Sequence, residues 1–306
     1  MRTTSGFMPD NRYVLTLDFV KSRFRKHVGE RNRRSPFFTG MTALAERDYI
    51  LGTRDDEVAR LRLQHAVWRP RALDAWRRAQ FNAGDTVIDI GCGPGYASQD
   101  LAEIVDRVIA LDRSRRFLDV LRARDIAKIE AHEIDLDEDP LPVRDADGAW
   151  ARWVFAFVKR PRDIAARVGS ALKPGGVLVA HEYLDYETWS FMPGSEEHDE
   201  FVRAVTRSWR NSGGEPNIGR NLPRWLEELD FEIRSMQTIV DVIRPADFAW
   251  QWPRSFIHSG LRRLIDLGEI SPARGEEIAR AFARNESDPQ AMMVTPAVLE
   301  IIAVRR

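Results

Sequence analysis

The spacing of apolar and polar positions becomes regular from about residue 41. Residues 41–51 have helical spacing. Thr53, followed by Asp55, Asp56 and Glu57, starts a second helix with a hydroxyl cap and acids in its first turn. Val58, Leu61 and His65 form one stripe of that helix, which is expected to stop near Pro70, with a third helix over about 70–80. Asn82-Ala-Gly-Asp85 then turns into Thr86–Ile90, a short β-branched run that reads as a buried strand. Helices over about 96–105, 114–124 and 161–172 alternate with strands at Arg107–Leu111, Ile129–Ile134, Ala149–Val154 and Val177–His181. Such βαβ spacing predicts a parallel sheet wrapped by helices. Further on come helices near 195–211 and 219–229, a long strand at Phe231–Ile243, two more helices and a last strand at Ala297–Val304. The two late strands predict a hairpin-like sheet edge whose long helical insertion caps one end of the sheet.

Composition adds bounds. The chain has 306 residues, 43% hydrophobic and 30% charged, enough for one large or two modest domains with a sizeable core. It contains no run of eighteen apolar residues, so no membrane span is expected. One cysteine, Cys92, and no charged-then-apolar leader point to a reducing compartment, and a cytoplasmic location is expected. Net charge is −1, unevenly spread: residues 1–40 hold nine Lys or Arg against three acids, leaving the body at −7. The basic opening is compatible with an arm for nucleic acid, a transit-like segment or a membrane-surface stretch. A poorly ordered extension, with Met41 as a possible natural start, is the expected reading. The acidic body gives no reason to expect a nucleic-acid groove.

The chemistry is concentrated in Val87-Ile-Asp-Ile-Gly-Cys-Gly-Pro-Gly95. Glycines after a buried strand let the backbone turn tightly and approach a ligand, and the next helix points its first amides at any negative group there. The dinucleotide pattern G-x-G-x-x-G requires glycine at position 96, which is Tyr96, so NAD is disfavoured. A phosphate loop is absent, because no Lys-Ser or Lys-Thr follows the glycines. Asp112 closes the second strand, 21 residues after Gly91, where an acid can accept the hydroxyls of a ribose. Asp135 is expected to end the third strand in the same way. Asp89, Asp112 and Asp135 are therefore expected to face one crevice beside the glycine loop.

Ile88-Asp-Ile-Gly-Cys-Gly-Pro-Gly95, Asp112, Asp135 and Leu172-Lys-Pro-Gly-Gly176 together resemble the class I S-adenosylmethionine-dependent methyltransferases. The likeness extends over about residues 45–306. Tyr49-Ile-Leu-Gly52, Glu57, Arg60-Leu61, Gln64 and Pro216-Asn-Ile-Gly-Arg220 before Leu222-Pro223 are similar to the small-molecule branch, related to quinone-biosynthesis and natural-product methyltransferases. The resemblance implies an α/β, doubly wound Rossmann-like fold, with a seven-stranded, mostly parallel sheet and an antiparallel last strand. It implies a helical lid over 41–81, a cofactor-binding core over 82–183, and cap helices with the last two strands over 184–306. It also implies that Gly91 and Gly93 pass beside the methionine part of S-adenosylmethionine, with Asp89 on its amino group. Asp112 would take the ribose hydroxyls, Arg113 would flank the adenine, and Asp135 with the Leu136 amide would read its edge. Arg152 would border the methionine tail with its backbone, and Tyr49 and Gln64 would close over the cofactor from the N-terminal helices.

Methyl transfer from a sulfonium needs collinear reacting atoms in a water-poor pocket more than it needs side-chain chemistry. A hydroxyl or amine acceptor must also lose a proton, and His181 after the fifth strand is the candidate catalytic residue. Glu182 and His258 are weaker candidates. Cys92 has no partners spaced for a nucleophilic triad, and no Cys/His cluster has metal-ligand spacing. Trp189, Phe191, Trp209, Trp250, Trp252 and Phe256 fall in the expected cap, a density that suits an apolar or aromatic small-molecule substrate. Two other functions stay open: a protein that binds the cofactor without transfer, and a methyltransferase acting on tRNA or protein. The acceptor atom and the oligomeric state are not set by the sequence.

Overall fold

The structure is a computed structural model and describes residues 55–306. The expected helix over 41–51, Thr53, Tyr49 and the basic opening lie outside the described residues.

Helix α1 (Asp55–Arg78) runs unbroken through Pro70, where two helices are expected from the sequence. Proline removes one backbone hydrogen bond at a cost of about 3 kcal/mol. That cost is offset because Trp68, Ala72, Ala75 and Trp76, on both sides of the proline, bury along one side of the same helix. There follow β1 (Thr86–Ile90), α2 (Tyr96–Ile104), β2 (Arg107–Asp112), α3 (Arg115–Arg122) and β3 (Ile129–Glu133). Next come β4 (Ala146–Arg152), α4 (Pro161–Ala171), β5 (Leu172–Asp185), β6 (Ser190–Met192), α5 (Glu196–Asn211) and α6 (Leu222–Glu228). The chain ends with β7 (Phe231–Ile239), β8 (Val242–Ile243), α7 (Gln251–Asp266), α8 (Pro272–Ser287), β9 (Met292–Val294) and β10 (Ala297–Arg305).

The main sheet has seven strands in the order β3-β2-β1-β4-β5-β10-β7. β10 enters antiparallel between β5 and β7, and the others are parallel, as the sequence implies. Strand periodicity splits the core between the two faces. Ile88, Ile90, Leu178 and Ile301 pack with α4 and α6 on one face. Val87, Val108, Trp150 and Ile302 pack with α1 and α2 on the other. Asp89 and Arg152 share the parity of Val87 and Trp150, so they point to the face that α1 and α2 cover.

Three strand limits differ from expectation. β4 stops at Arg152 because Trp153 takes a left-handed backbone (φ 52°). β5 is far longer than Val177–His181, since Leu172 already pairs with Ala146 and the strand continues past Tyr183 beside β10. The expected strand Phe231–Ile243 is two: β7 ends at Ile239, and β8 joins a separate sheet of order β6-β9-β8 that has no clear alternating pattern in the sequence. That small sheet, α5, α7 and α8 form an aromatic-rich cluster that reaches Trp153 and Tyr183 at the carboxyl ends of β4 and β5.

Trp76 is fully buried with its ring edge-on to Trp150 at 5.2 Å. Trp76→Ala is expected to lower unfolding stability by about 3–5 kcal/mol, read by chemical denaturation; a loss under about 1 kcal/mol would show that α1 is not anchored through this contact.

Candidate functional site

β1 delivers the chain to the glycine loop, and the loop takes left-handed backbone at Gly91 (φ 64°), Gly93 (φ 54°) and Gly95 (φ 76°). A Cβ on Gly91 would lie 2.6 Å from Val154 Cγ2, so only glycine lets the loop pass beside the end of β4. The loop is tied to the next strand: Cys92 N donates to Leu111 O (2.8 Å) and Gly93 N to Asp112 Oδ2 (2.8 Å). Asp112 Oδ1 accepts from Ser114 N at the start of α3 (2.8 Å). Each oxygen thus takes one amide and keeps lone pairs for hydroxyl donors.

A single cavity opens here, with about 1390 Å³ of free space including its mouth. Gln64, Asp89, Gly91, Gly93, Asp112, Arg113, Asp135, Leu136 and Arg152 all line it. Asp135 lies two residues beyond the end of β3 rather than closing it, in a turn where its Oδ1 accepts from Asp137 N (3.0 Å). Arg167 donates to the Leu136 carbonyl, which fixes that turn.

Burial sets the charge states. Asp89, 1% exposed, is pushed up to about 7 by desolvation, against the opposing Ser98 hydroxyl (2.6 Å) and the nearby Arg152 charge. Asp112 is also raised by burial, with the Ser114 and Gly93 amides opposing. Arg152 is lowered to about 10 by burial, with Asp89 opposing. Its Nη2 donates to His65 Nδ1 (3.1 Å), and His65 Nε2 meets Asp100 Oδ2 (2.9 Å). Burial lowers the His65 pKa, so the neutral ring donates to Asp100 through Nε2 and accepts from Arg152 through Nδ1. Buried Cys92 is pushed well above the ordinary thiol range, which removes it as a nucleophile.

His181 is not brought to the cavity. It is fully buried, its Nε2 meets Glu300 Oε2 (2.9 Å), and its ring lies between Trp68 and Trp150 at 5.9 and 4.9 Å. Strand parity turns it beneath α1, as a hydrogen-bonded core histidine. Glu182 points to the other face, where its Oε1 accepts from Val154 N (2.6 Å) and Phe155 N (2.9 Å) and so clamps the chain that leaves β4. His258 is not among the lining residues.

Of the six cap aromatics, Trp189, Trp209, Trp252 and Phe256 line the cavity, whereas Phe191 and Trp250 pack against Phe282. Sequence reasoning did not single out Trp153, Phe157 or Tyr186, which also line it. Trp153 and Phe157 directly follow β4, and the only signal was their place at a strand's carboxyl end. Among the described residues no group of three or more His, Cys, Asp or Glu is placed to hold a metal ion, and no helix is long and apolar enough to cross a membrane.

Comparison with known proteins matches residues 88–180 to the family described as "Methyltransferase domain". Residues 88–180 thus match a methyltransferase domain. The chain is 32% identical over 187 residues to an uncharacterized 37.1 kDa protein of transposon TN4556 from Streptomyces fradiae, covering 59% of this chain and 51% of that one. It is 38% identical over 99 residues to the cypemycin N-terminal methyltransferase of a Streptomyces species, covering 30% and 40%. The matches thus span about half or less of these relatives. A solved methyltransferase-type protein from Bacillus halodurans C-125 shares the fold (TM-score 0.52, 15% identity), covering 76% of this chain and 98% of that one. The methyltransferase domain contains the glycine loop, Asp112, Asp135 and Arg152, whereas Gln64 and most of the cavity's aromatic wall come from outside it.

Folding holds the Glu182 proton up to about pH 8, whereas an unfolded chain releases it near 4.5, so this group's contribution to stability falls as pH rises between those values. Glu182→Gln keeps a carbonyl acceptor for both amides and does not titrate. Relative to wild type, the variant is expected to gain stability from pH 5 to pH 8, by up to about 1.4 kcal/mol per pH unit. Thermal melts across that range check it, and a constant difference would refute the clamp's titration.

Proposed function

We propose that this protein transfers a methyl group from S-adenosylmethionine to a small apolar or aromatic organic acceptor by in-line displacement. The observation that carries this reading is that the glycine loop, the acids after three successive strands, and an aromatic chamber all line one cavity. The residues present fit the cofactor. Gly91 gives a close backbone approach that a Cβ would abolish, and buried Asp112 keeps acceptor capacity beside the loop. Tyr96, the first residue of α2, lines the cavity where a dinucleotide loop needs its third glycine.

Bound S-adenosylmethionine supplies a methyl group on a sulfonium that is its own leaving group. Asp112 would hold the ribose hydroxyls, Arg113 would flank the adenine, and Asp135 with the Leu136 amide would read its edge. Asp89, Gly91, Gly93, Gln64 and Arg152 would surround the methionine part. Trp153, Phe157, Trp209 and Trp252 exclude water from the other end of the cavity, where positioning of the acceptor does the remaining work. The aromatic lining favours a small molecule over an RNA or protein surface. A reducing compartment such as the cytoplasm suits a chain whose one cysteine is free.

Calorimetry is expected to show binding of S-adenosylmethionine and none of NAD, with Asp112→Ala weakening the former at least about tenfold, or about 1.4 kcal/mol. Tight NAD binding would overturn the cofactor assignment. Labelled cofactor incubated with a broad panel of small aromatic acceptors is expected to yield labelled product; no product from any of them would favour a binding protein without transferase activity.

A further inference from the structure

The acceptor end of the cavity is mostly aromatic and rigidly built. Trp153 is stacked between Tyr183 (5.3 Å, 15°) and Trp252 (5.5 Å, 11°). Tyr186 meets Tyr183 edge-on at 4.9 Å and Trp189 at 5.8 Å, with Trp209 at 4.9 Å, so the direction of its ring is fixed by neighbours on several sides.

Within this apolar wall Tyr186 carries an unused polar group. The residue is 2% exposed and lines the cavity, and its hydroxyl makes no hydrogen bond to any described residue. That oxygen is not completely sealed, and the residue borders the cavity. A phenol held this way donates or accepts one hydrogen bond, and leaving it unmet in an apolar pocket is unfavourable. Burial pushes its ionisation well above the ordinary tyrosine range, with Arg60 opposing, so the hydroxyl keeps its proton and is a donor.

Charge selects further. Arg60, held by Glu57 (2.6 and 2.8 Å) and Gln64 (2.8 Å), lies 5.9 Å over the Phe256 ring, and Arg152 lies 5.5 Å over Trp153. The lining acids Asp89, Asp112, Asp135 and Asp137 all belong to the ends of β1, β2 and β3 or the turns after them. An aromatic chamber alone would welcome an organic cation. Each guanidinium at its border has an acid beside it, Glu57 for Arg60 and Asp89 for Arg152, and among the described residues no carboxylate lines the aromatic part, so an organic cation there would face two guanidinium groups with no anionic partner left for it.

The geometry points to an acceptor that is a planar aromatic bearing an oxygen substituent, neutral or anionic, anchored by a hydrogen bond from Tyr186, with organic ammonium ions rejected. This rests on the methyltransferase reading for its purpose, though the binding it predicts is measurable without turnover.

Equilibrium dialysis with three probes of one shape, 2-naphthol, naphthalene and 2-naphthylmethylammonium, tests it, on wild type and Tyr186→Phe. Wild type is expected to bind 2-naphthol about tenfold or more tighter than naphthalene, and the ammonium probe more weakly than either. In Tyr186→Phe the naphthol preference is expected to fall to about threefold or less, while naphthalene affinity stays within about twofold and so reports an intact chamber. Equal binding of 2-naphthol and naphthalene by wild type, a preference that survives in Tyr186→Phe, or ammonium binding as tight as naphthol would each overturn the proposal. S-adenosylhomocysteine affinity, measured on the same samples, separates the two readings: its absence would count against the cofactor assignment, whereas the naphthol preference judges the acceptor site.

Discussion

Asp112 holds the site's two halves in register. Its carboxylate receives the Gly93 amide from the loop after β1 and the Ser114 amide from the turn before α3. Two neighbouring strands and the start of a helix are thereby locked to one side chain, which is 7% exposed and raised in pKa by burial. Charge-assisted bonds of this kind are stronger than neutral ones, and here they offset part of the desolvation they require. The rest of the loop's support comes from the Cys92–Leu111 backbone bond, from Arg124 Nη1, which donates to Gly95 O (3.0 Å), and from glycine's tolerance of left-handed backbone. The opening beside Val154 depends on the same placement, because the space left by the missing Cβ of Gly91 exists only while the loop lies against the end of β4.

Much of this was legible in the sequence because its physics is local. A β-branched run followed by closely spaced glycines admits few backbone paths, so the sequence pattern of β1 and its loop coincides with their observed positions. Acids at strand ends were readable too, since βαβ order places successive carboxyl ends along one edge. Pro70 misled because the helix rule concerns a single hydrogen bond, whereas the burial of Trp68 and Trp76 on either side is decided by tertiary packing. The sequence pattern of β8 runs on from that of β7 because both are apolar, and pairing with β9 is a long-range event that no local pattern encodes. The expected strand end at His181 puts that residue at the crevice. The strand in fact continues to Asp185, which sets His181 inside the sheet beneath Trp68.

The aromatic chamber was the least legible part, since its walls come from the end of β4, from β5 and the turn after it, and from α5 and α7. Aromatic density in the sequence announced an apolar cluster without distinguishing core from lining. Trp250 and Trp252 show why: they are two residues apart, yet one packs against Phe282 and the other stacks on Trp153 at the cavity. Which of two nearby rings faces a ligand depends on what a distant helix places opposite it.

Between the chamber and the glycine loop stands Arg152, and its support explains why α1 matters to a domain whose own sequence begins after it. Asp100 on α2 fixes His65 on α1, and the neutral His65 ring receives the Arg152 guanidinium from the end of β4. Three elements separated by up to 87 residues thus converge on one half-buried cation. The guanidinium is also set over Trp153, at the threshold of the aromatic chamber, while Asp89 lowers its energy from the loop side. A fixed positive group there divides the cavity electrically. The acids remain with the loop and the turns after the first three strands, and the aromatic rings lie beyond in a region of low polarity. The partition follows from strand order and side-chain parity, with α1 closing the face on which Asp89 and Arg152 emerge.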